Sequence, residues 1–75
     1  MIKNLISKDY ELIIKNDCID IKNYLKINEL NNNRIELILT NKKIIISGTN
    51  LIIKCMDEYE IVIKGKCSSI QFIDE

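Results

Sequence analysis

The residues of this 75-residue chain best suited to chemistry are two acidic pairs and one pair of serines. The acidic pairs are Asp57-Glu58 and Asp74-Glu75, and acid–base catalysis there would need a pocket that so small a domain can hardly enclose. Ser68-Ser69 lacks a partner base, because the chain has no His and no Lys at a recognised spacing. We therefore predict a protein that is not an enzyme, with no catalytic residues and no small-molecule substrate.

The thiols lie far apart, at Cys18, Cys55 and Cys67. None belongs to a CxxC pair, and no His is present to complete a zinc site. The odd number of cysteines, and a Lys-containing start without the apolar stretch of a signal peptide, favour a reducing cytoplasm. We interpret the thiols as small buried hydrophobic groups, with a disulfide or a reactive thiol as the alternative, and we expect no metal and no cofactor.

Charge and aromatic content argue against a nucleic-acid partner. The 11 basic and 11 acidic residues are balanced and interspersed, without the basic stripe that phosphate binding requires. Three Tyr and one Phe are too few for a base-stacking platform. We interpret Tyr59 and Phe72 as core or cross-strand packing residues. Gly48 and Gly65 stand alone and form no phosphate-binding loop.

Apolar residues alternate with polar ones over most of the chain, which is typical of half-buried β-strands. Such segments occur at 10–15, 19–22, 25–27, 35–39, 44–46, 51–53, 61–63 and 70–72. Gly48, Asn50 and Gly65 lie between segments and are predicted to form structural turns, since Gly and Asn tolerate the backbone angles of a reversal. Ile, the commonest apolar residue, is β-branched and suits a strand.

These segments predict an all-β fold, a small antiparallel β-meander of six to eight short strands that curls into a roll or sandwich. Residues 9–75 would form this single β domain, preceded by a short irregular or helical lead-in over residues 1–8. The alternative is a short β-solenoid, because inward-facing Ile residues recur roughly every eight or nine positions. They are Ile27, Ile35, Ile44, Ile53, Ile61 and Ile70.

The face opposite these inner residues is not fully polar. A one-sided sheet would carry polar residues there, and a chain of this length has a marginal core unless a partner shares it. We therefore expect that both faces are buried within one chain, that the second face forms a homo-oligomer, or that both hold. The interface candidates are Ile13, Ile38, Ile45, Ile52, Val62 and Ile73.

The segment from Ile44 to Phe72 contains Gly48-Thr49-Asn50-Leu51, an Ile-Lys strand, a Glu-centred turn, a strand ending at Gly65, and Ser69-Ile70-Gln71-Phe72. In order and spacing this resembles the YabP/YqfC family of sporulation proteins, and it is closer to the YqfC branch. Residues 13–16 and 21–24, with Ile27 and Glu29, resemble the upstream part of that family. The short N-terminus departs from the family, whose members carry a basic lead-in.

The resemblance implies a small, non-enzymatic protein of the mother cell of an endospore-forming bacterium. It would be cytoplasmic, or peripheral at a membrane through a sporulation membrane-protein partner, and would support spore envelope assembly. The alternative is a generic small β-module that binds a ligand or single-stranded nucleic acid. No catalytic residues come with the family.

Overall fold

The computed structural model describes the backbone of residues 3–6 and the whole of residues 10–74, and these form one antiparallel sheet of seven strands. The spatial order is β1-β2-β3-β7-β6-β5-β4, which confirms the predicted all-β fold. A solenoid of parallel rungs is the wrong alternative, because every neighbouring pair is antiparallel. The strands are β1 (Lys3–Ile6), β2 (Glu11–Ile14), β3 (Cys18–Lys22), β4 (Lys26–Leu30), β5 (Arg34–Leu39), β6 (Lys42–Met56) and β7 (Glu60–Asp74).

The chain does not form one continuous meander. Strands β1 to β3 lie on one side of the β6–β7 pair and β4 to β5 on the other, so residues 23–25 carry the chain across. The lead-in was predicted to be irregular or helical, which is wrong for residues 3–6. They pair with β2 as strand β1, because a neighbouring strand supplies hydrogen bonds that one isolated helical turn cannot match. Residues 1, 2, 7 and 8 lie outside the described part of the chain.

Strands β6 and β7 are each 15 residues long and form a strongly bent ribbon. Fully straight, such a strand would measure about 50 Å, whereas the longest dimension of the molecule is 28 Å. The pairing register shifts after Ser47, after Thr49 and after Ile53, as it does at β-bulges, which increase bending and twist. The sequence prediction of a reversal at residues 47–50 is therefore wrong, and so is the prediction of a turn at Gly65.

Glycine is required where the two paired strands approach each other closely at the bend. A Cβ atom on Gly48 would overlap the backbone carbonyl oxygen of Lys66. Gly65 has a φ of +135°, and a Cβ there would lie 2.5 Å from the carbonyl oxygen of Asn50. Asn50 itself has a φ of 53°, a left-handed conformation that Asn tolerates better than most residues. The residues predicted as turns thus form the bend within two continuous strands.

The bend folds the sheet over one core. Half-sheet A contains β4, β5 and residues 42–47 and 69–74, and half-sheet B contains β1 to β3 and residues 51–56 and 60–64. Both supply the same cluster of buried side chains, and the 11.1 Å radius of gyration matches the roughly 11 Å of a compact domain of this length. Ile35, Ile44 and Ile61 are fully buried, and Ile27, Ile53 and Ile70 pack against the cluster, which confirms the predicted inner face.

Replacing Gly48 by Ala should destabilise the fold by about 1–3 kcal/mol. A methyl group there collides with backbone rather than with a side chain that could move. Urea unfolding at fixed protein concentration measures the change. Ser47→Ala is the matched control, because Ser47 is the neighbouring residue on β6 and already carries a Cβ. A Gly48→Ala variant as stable as this control would contradict the close approach of Gly48 to the Lys66 backbone.

Candidate interaction surface

The structure divides the predicted interface residues between two separate outer faces. Ile38, Ile45 and Ile73 lie on half-sheet A, where Ile38 and Ile73 flank Lys43 in one cross-strand row. Ile13 and Val62 lie on half-sheet B, in a row with Asp20 between them. Ile52 is also on half-sheet B, at the outer edge of the sheet beside Lys64. One continuous apolar face, as the alternation predicted, does not exist.

The outer face of half-sheet A is covered by its own polar side chains. Ile45 is only 6% exposed and so has almost no surface to offer a partner. Beside it lies Glu36, 7% exposed, whose carboxylate accepts a hydrogen bond from the Asn28 amide. A second donor is Arg34, with a guanidinium nitrogen 3.1 Å from Glu36 Oε1, and the Lys43 ammonium lies 3.7 Å away.

These contacts favour the charged forms of Glu36 and Arg34. The Asn28 hydrogen bond, followed by that of Arg34, lowers the pKa of Glu36 even though burial opposes it. The same pairing, together with an ion pair to Glu29 at 3.0 Å, raises the pKa of Arg34. The hydrogen bonds and ion pairs of Glu36 are made within the chain, so this part of the outer face gains little from a polar partner.

The second half of β6 leaves one of its two edges open. Residues 52–56 pair with β7 on one side only. On the other side, Gly48 N–H donates to Asn33 O at 3.0 Å and Leu51 N–H to Asn32 O at 2.8 Å, both close to the bend. Beyond Leu51 no described strand pairs with this edge. An unpaired edge presents backbone donors and acceptors to any chain that can add a strand.

A groove runs along this open edge, between β6 and the end of β4. Its volume is about 290 Å³, and we call it the β6 edge groove. Leu30 is 48% exposed and Ile52 is 56% exposed, with Met56 exposed further along the same strand. It is lined by Leu30, Asn31, Asn32, Ile35, Leu51, Ile52 and Ile53.

Sequence reasoning found Ile52 but missed Leu30 and Met56. The alternation along a strand assigns a residue to one face of the sheet or the other. Leu30 and Met56 are exposed for a different reason, because each lies on the outermost strand of its half-sheet. Only the order of strands, which depends on the crossover between β3 and β4, reveals which edges are open. An Ile, Leu or Met near the end of a short strand is the one available signal.

The prediction that the thiols are buried is wrong for Cys55 and Cys67, which are exposed, whereas Cys18 is half-buried. All three are free thiols. The Cys67 thiol lies 3.5 Å from the Ser69 carbonyl oxygen, and its partial desolvation raises its pKa. Residue 67 follows the bend, where β7 is already at the surface, so its small apolar character did not predict burial.

The aromatic residues also lie nearer the surface than predicted. Tyr59 is 66% exposed, in the turn between β6 and β7, so its interpretation as a core or cross-strand packing residue is wrong. Phe72 is partly exposed, and its ring centroid lies 6.3 Å from that of Tyr10, with the Lys42 ammonium 5.9 Å from the Phe72 centroid. This packing joins half-sheet A to half-sheet B on the side opposite the β6 edge groove.

The acidic pairs have structural positions. The Asp57 carboxylate accepts hydrogen bonds from the backbone N–H groups of Tyr59 and Glu60, both at 2.8 Å, which lowers the pKa of Asp57. Asp74 ends β7, and Glu75 lies outside the described residues. Within residues 3–6 and 10–74 no group of three or more His, Cys, Asp or Glu side chains could hold a metal ion. The same ranges contain no helix long and apolar enough to cross a membrane.

Comparison with known proteins adds no assignment: no protein-family model, curated protein or solved structure matches this chain.

Replacing Glu36 by Gln should reduce the loss of folding stability that occurs as the pH falls. A carboxylate with a lowered pKa stabilises the fold above its unfolded value, near 4.5, and this contribution disappears as the pH falls through the lower folded pKa. The unmutated protein and Glu36→Gln should therefore differ at pH 7 and converge in acid, as measured by urea unfolding across pH. Glu58→Gln, at an exposed turn position, is the control, and parallel curves for Glu36→Gln would contradict the network.

Proposed function

We propose that this chain is a non-enzymatic assembly module of the spore envelope, acting in the mother cell and self-associating through the β6 edge groove. The observation that carries the proposal is the open apolar edge, where Ile52 and Met56 stand exposed on a strand with unpaired backbone groups. The sporulation role is supported by the resemblance of residues 13–72 to the YabP/YqfC family. A membrane-protein partner, at which the module is peripheral, belongs to the same proposal.

The occupant we propose for the β6 edge groove is the same edge of a second copy. Two copies related by a two-fold axis pair this strand antiparallel with itself, which closes both edges at once. Between Leu51 and Met56 the only charge is Lys54, and Asp57 and Glu58 follow directly. The paired segments are therefore almost free of charge, and the exposed Lys54 side chains can keep their ammonium groups in solvent.

Self-association also fits the energetics of a chain this small. A domain of this length buries only about 60–65% of its unfolded surface, so covering Leu30, Ile52 and Met56 adds apolar burial that the protomer lacks. Edge pairing further satisfies backbone groups that otherwise bond only to water. The outer face of half-sheet A offers less apolar surface to a partner, because Ile45 is only 6% exposed and Ile38 and Ile73 are already half-buried.

Sedimentation of three variants tests the surface. The unmutated protein should sediment as an oligomer and Ile52→Lys as a monomer, because a charge in the groove opposes burial. Leu25→Lys is the matched control, since Leu25 is 65% exposed, against 56% for Ile52, but lies in the crossover between β3 and β4. Val62→Lys distinguishes the outer face of half-sheet B from the groove. A monomeric unmutated protein would contradict self-association, and dissociation by Val62→Lys alone would place the contact elsewhere.

Deletion of the gene tests the sporulation role separately. It should lower the count of heat-resistant spores while vegetative growth stays normal. Complementation with Leu25→Lys should restore spore yield and complementation with Ile52→Lys should not, if assembly through the groove is what the spore requires. An unchanged spore yield on deletion would overturn the role. A salt-dependent complex with single-stranded oligonucleotide would instead favour the alternative of a nucleic-acid-binding module.

A further inference from the structure

Two carboxyl groups face each other on the outer side of half-sheet B, away from the β6 edge groove. Asp20 lies opposite Val62 and Glu60 lies opposite Lys22 in the antiparallel pairing of β3 with β7. The two acids are therefore diagonal neighbours on one face of the sheet, a spacing within reach of long side chains. Both residues are half-buried.

One oxygen of the Asp20 carboxyl group lacks a hydrogen-bond donor when both acids are charged. Its Oδ1 atom is shielded from solvent and has no hydrogen-bond partner. An ionised carboxylate can only accept hydrogen bonds, so two ionised carboxylates cannot satisfy each other. A single proton placed between them turns one group into a donor, satisfies the shielded oxygen and removes one of two like charges.

We propose that Asp20 and Glu60 share one proton across the β3–β7 pairing, forming a pH-sensitive clamp that tightens half-sheet B in weak acid and loosens it near neutral pH. This inference does not depend on the proposed function, because neither residue lines the groove. The two acids join the long ribbon to the β1–β3 side of the sheet, so the clamp acts where that side is attached.

The other charged groups around the pair do not replace the proton. On β2, Glu11 lies opposite Lys22, so Lys22 is placed between two acids rather than beside one. Among the described residues Lys22 forms no ion pair with Asp20 or Glu60. The acidic Asp57 in the adjoining turn adds repulsion, since its charge raises the pKa of Glu60 whereas that of Lys22 lowers it.

On the neighbouring row, Cys18 of β3 and Lys64 of β7 face each other, one step farther from Glu60 than Asp20 is. Cys55 of β6 lies opposite Val62, on the far side of β7 from Asp20. The largest influence on Glu60 is the hydrogen bond with Asp20, followed by desolvation and the Asp20 charge, and all three raise the pKa of Glu60.

The sign of the pH response follows from this direction. A group whose folded pKa is raised stabilises the fold fully below its unfolded pKa, and that contribution is lost as the pH rises through the folded value. The clamp therefore strengthens the fold in weak acid and weakens toward neutral pH. Glu36 on half-sheet A responds in the opposite direction.

Carbon NMR titration of the Glu60 carboxyl carbon in the full chain tests the clamp. In the unmutated protein Glu60 should titrate above an ordinary Glu, and in Asp20→Asn it should shift back down, because the Asn amide donates to the ionised Glu60 carboxylate. Glu11→Gln, which changes an acid on the same face but outside the pair, should leave the Glu60 titration raised. An ordinary Glu60 titration in the unmutated protein, or no shift in Asp20→Asn, would overturn the proposal.

Unfolding measured across pH gives a second readout that holds if Asp20→Asn does not fold. Glu60→Gln supplies a permanent donor to Asp20, so its stability should no longer decline between weak acid and neutral pH as that of the unmutated protein does. A Glu60→Gln curve parallel to that of the unmutated protein would overturn the shared proton. The Ile52→Lys sedimentation result has no bearing on either measurement, so failure of the clamp and failure of the groove are distinguishable.

Discussion

The close approach of two neighbouring backbones at the bend of the β6–β7 ribbon is the constraint on which the rest of the structure depends. Gly48 and Gly65 let the strands approach to a distance that no side chain permits. Without that approach, strands of this length would extend as one flat sheet. No second layer would then pack on it, and its apolar face would be in water. With it, both ends of the ribbon contribute to one core, which is how 75 residues bury so many Ile and Leu side chains completely.

The same bend determines where the molecule is open. In half-sheet A the outermost strands are β4 and the end of β7, whereas in half-sheet B they are β1 and the end of β6. The packing of Tyr10 on Phe72 joins the halves on one side. On the other side, backbone hydrogen bonds from Gly48 and Leu51 join the halves, and residues 52–56 of β6 pair with no described strand on that side. The β6 edge groove is thus a consequence of a sheet that folds over without closing.

Sequence alternation predicted the inner face correctly, because a strand has a period of two whatever its neighbours are. Ile35, Ile44 and Ile61 could therefore be assigned from local pattern alone. The position of Gly48 could not be assigned in this way. A Ser-Gly-Thr sequence is equally compatible with a chain reversal and with a β-bulge, and the distinction depends on the distant Lys66 backbone. Ile45 failed for a similar reason: its neighbours on the outer face, including Glu36 directly opposite, come from other strands of the sheet.

The two carboxyl centres show how a neutral chain can still be sensitive to charge. Glu36 is surrounded by donors that favour its ionised form, whereas Glu60 faces another acid that favours a proton. Both sit on outer faces, one on each half-sheet, and the ribbon connects them. If both act as inferred, falling pH weakens half-sheet A while rising pH weakens half-sheet B. The whole fold is then most stable between the two titrations, because neither half can be lost without exposing the core that they share.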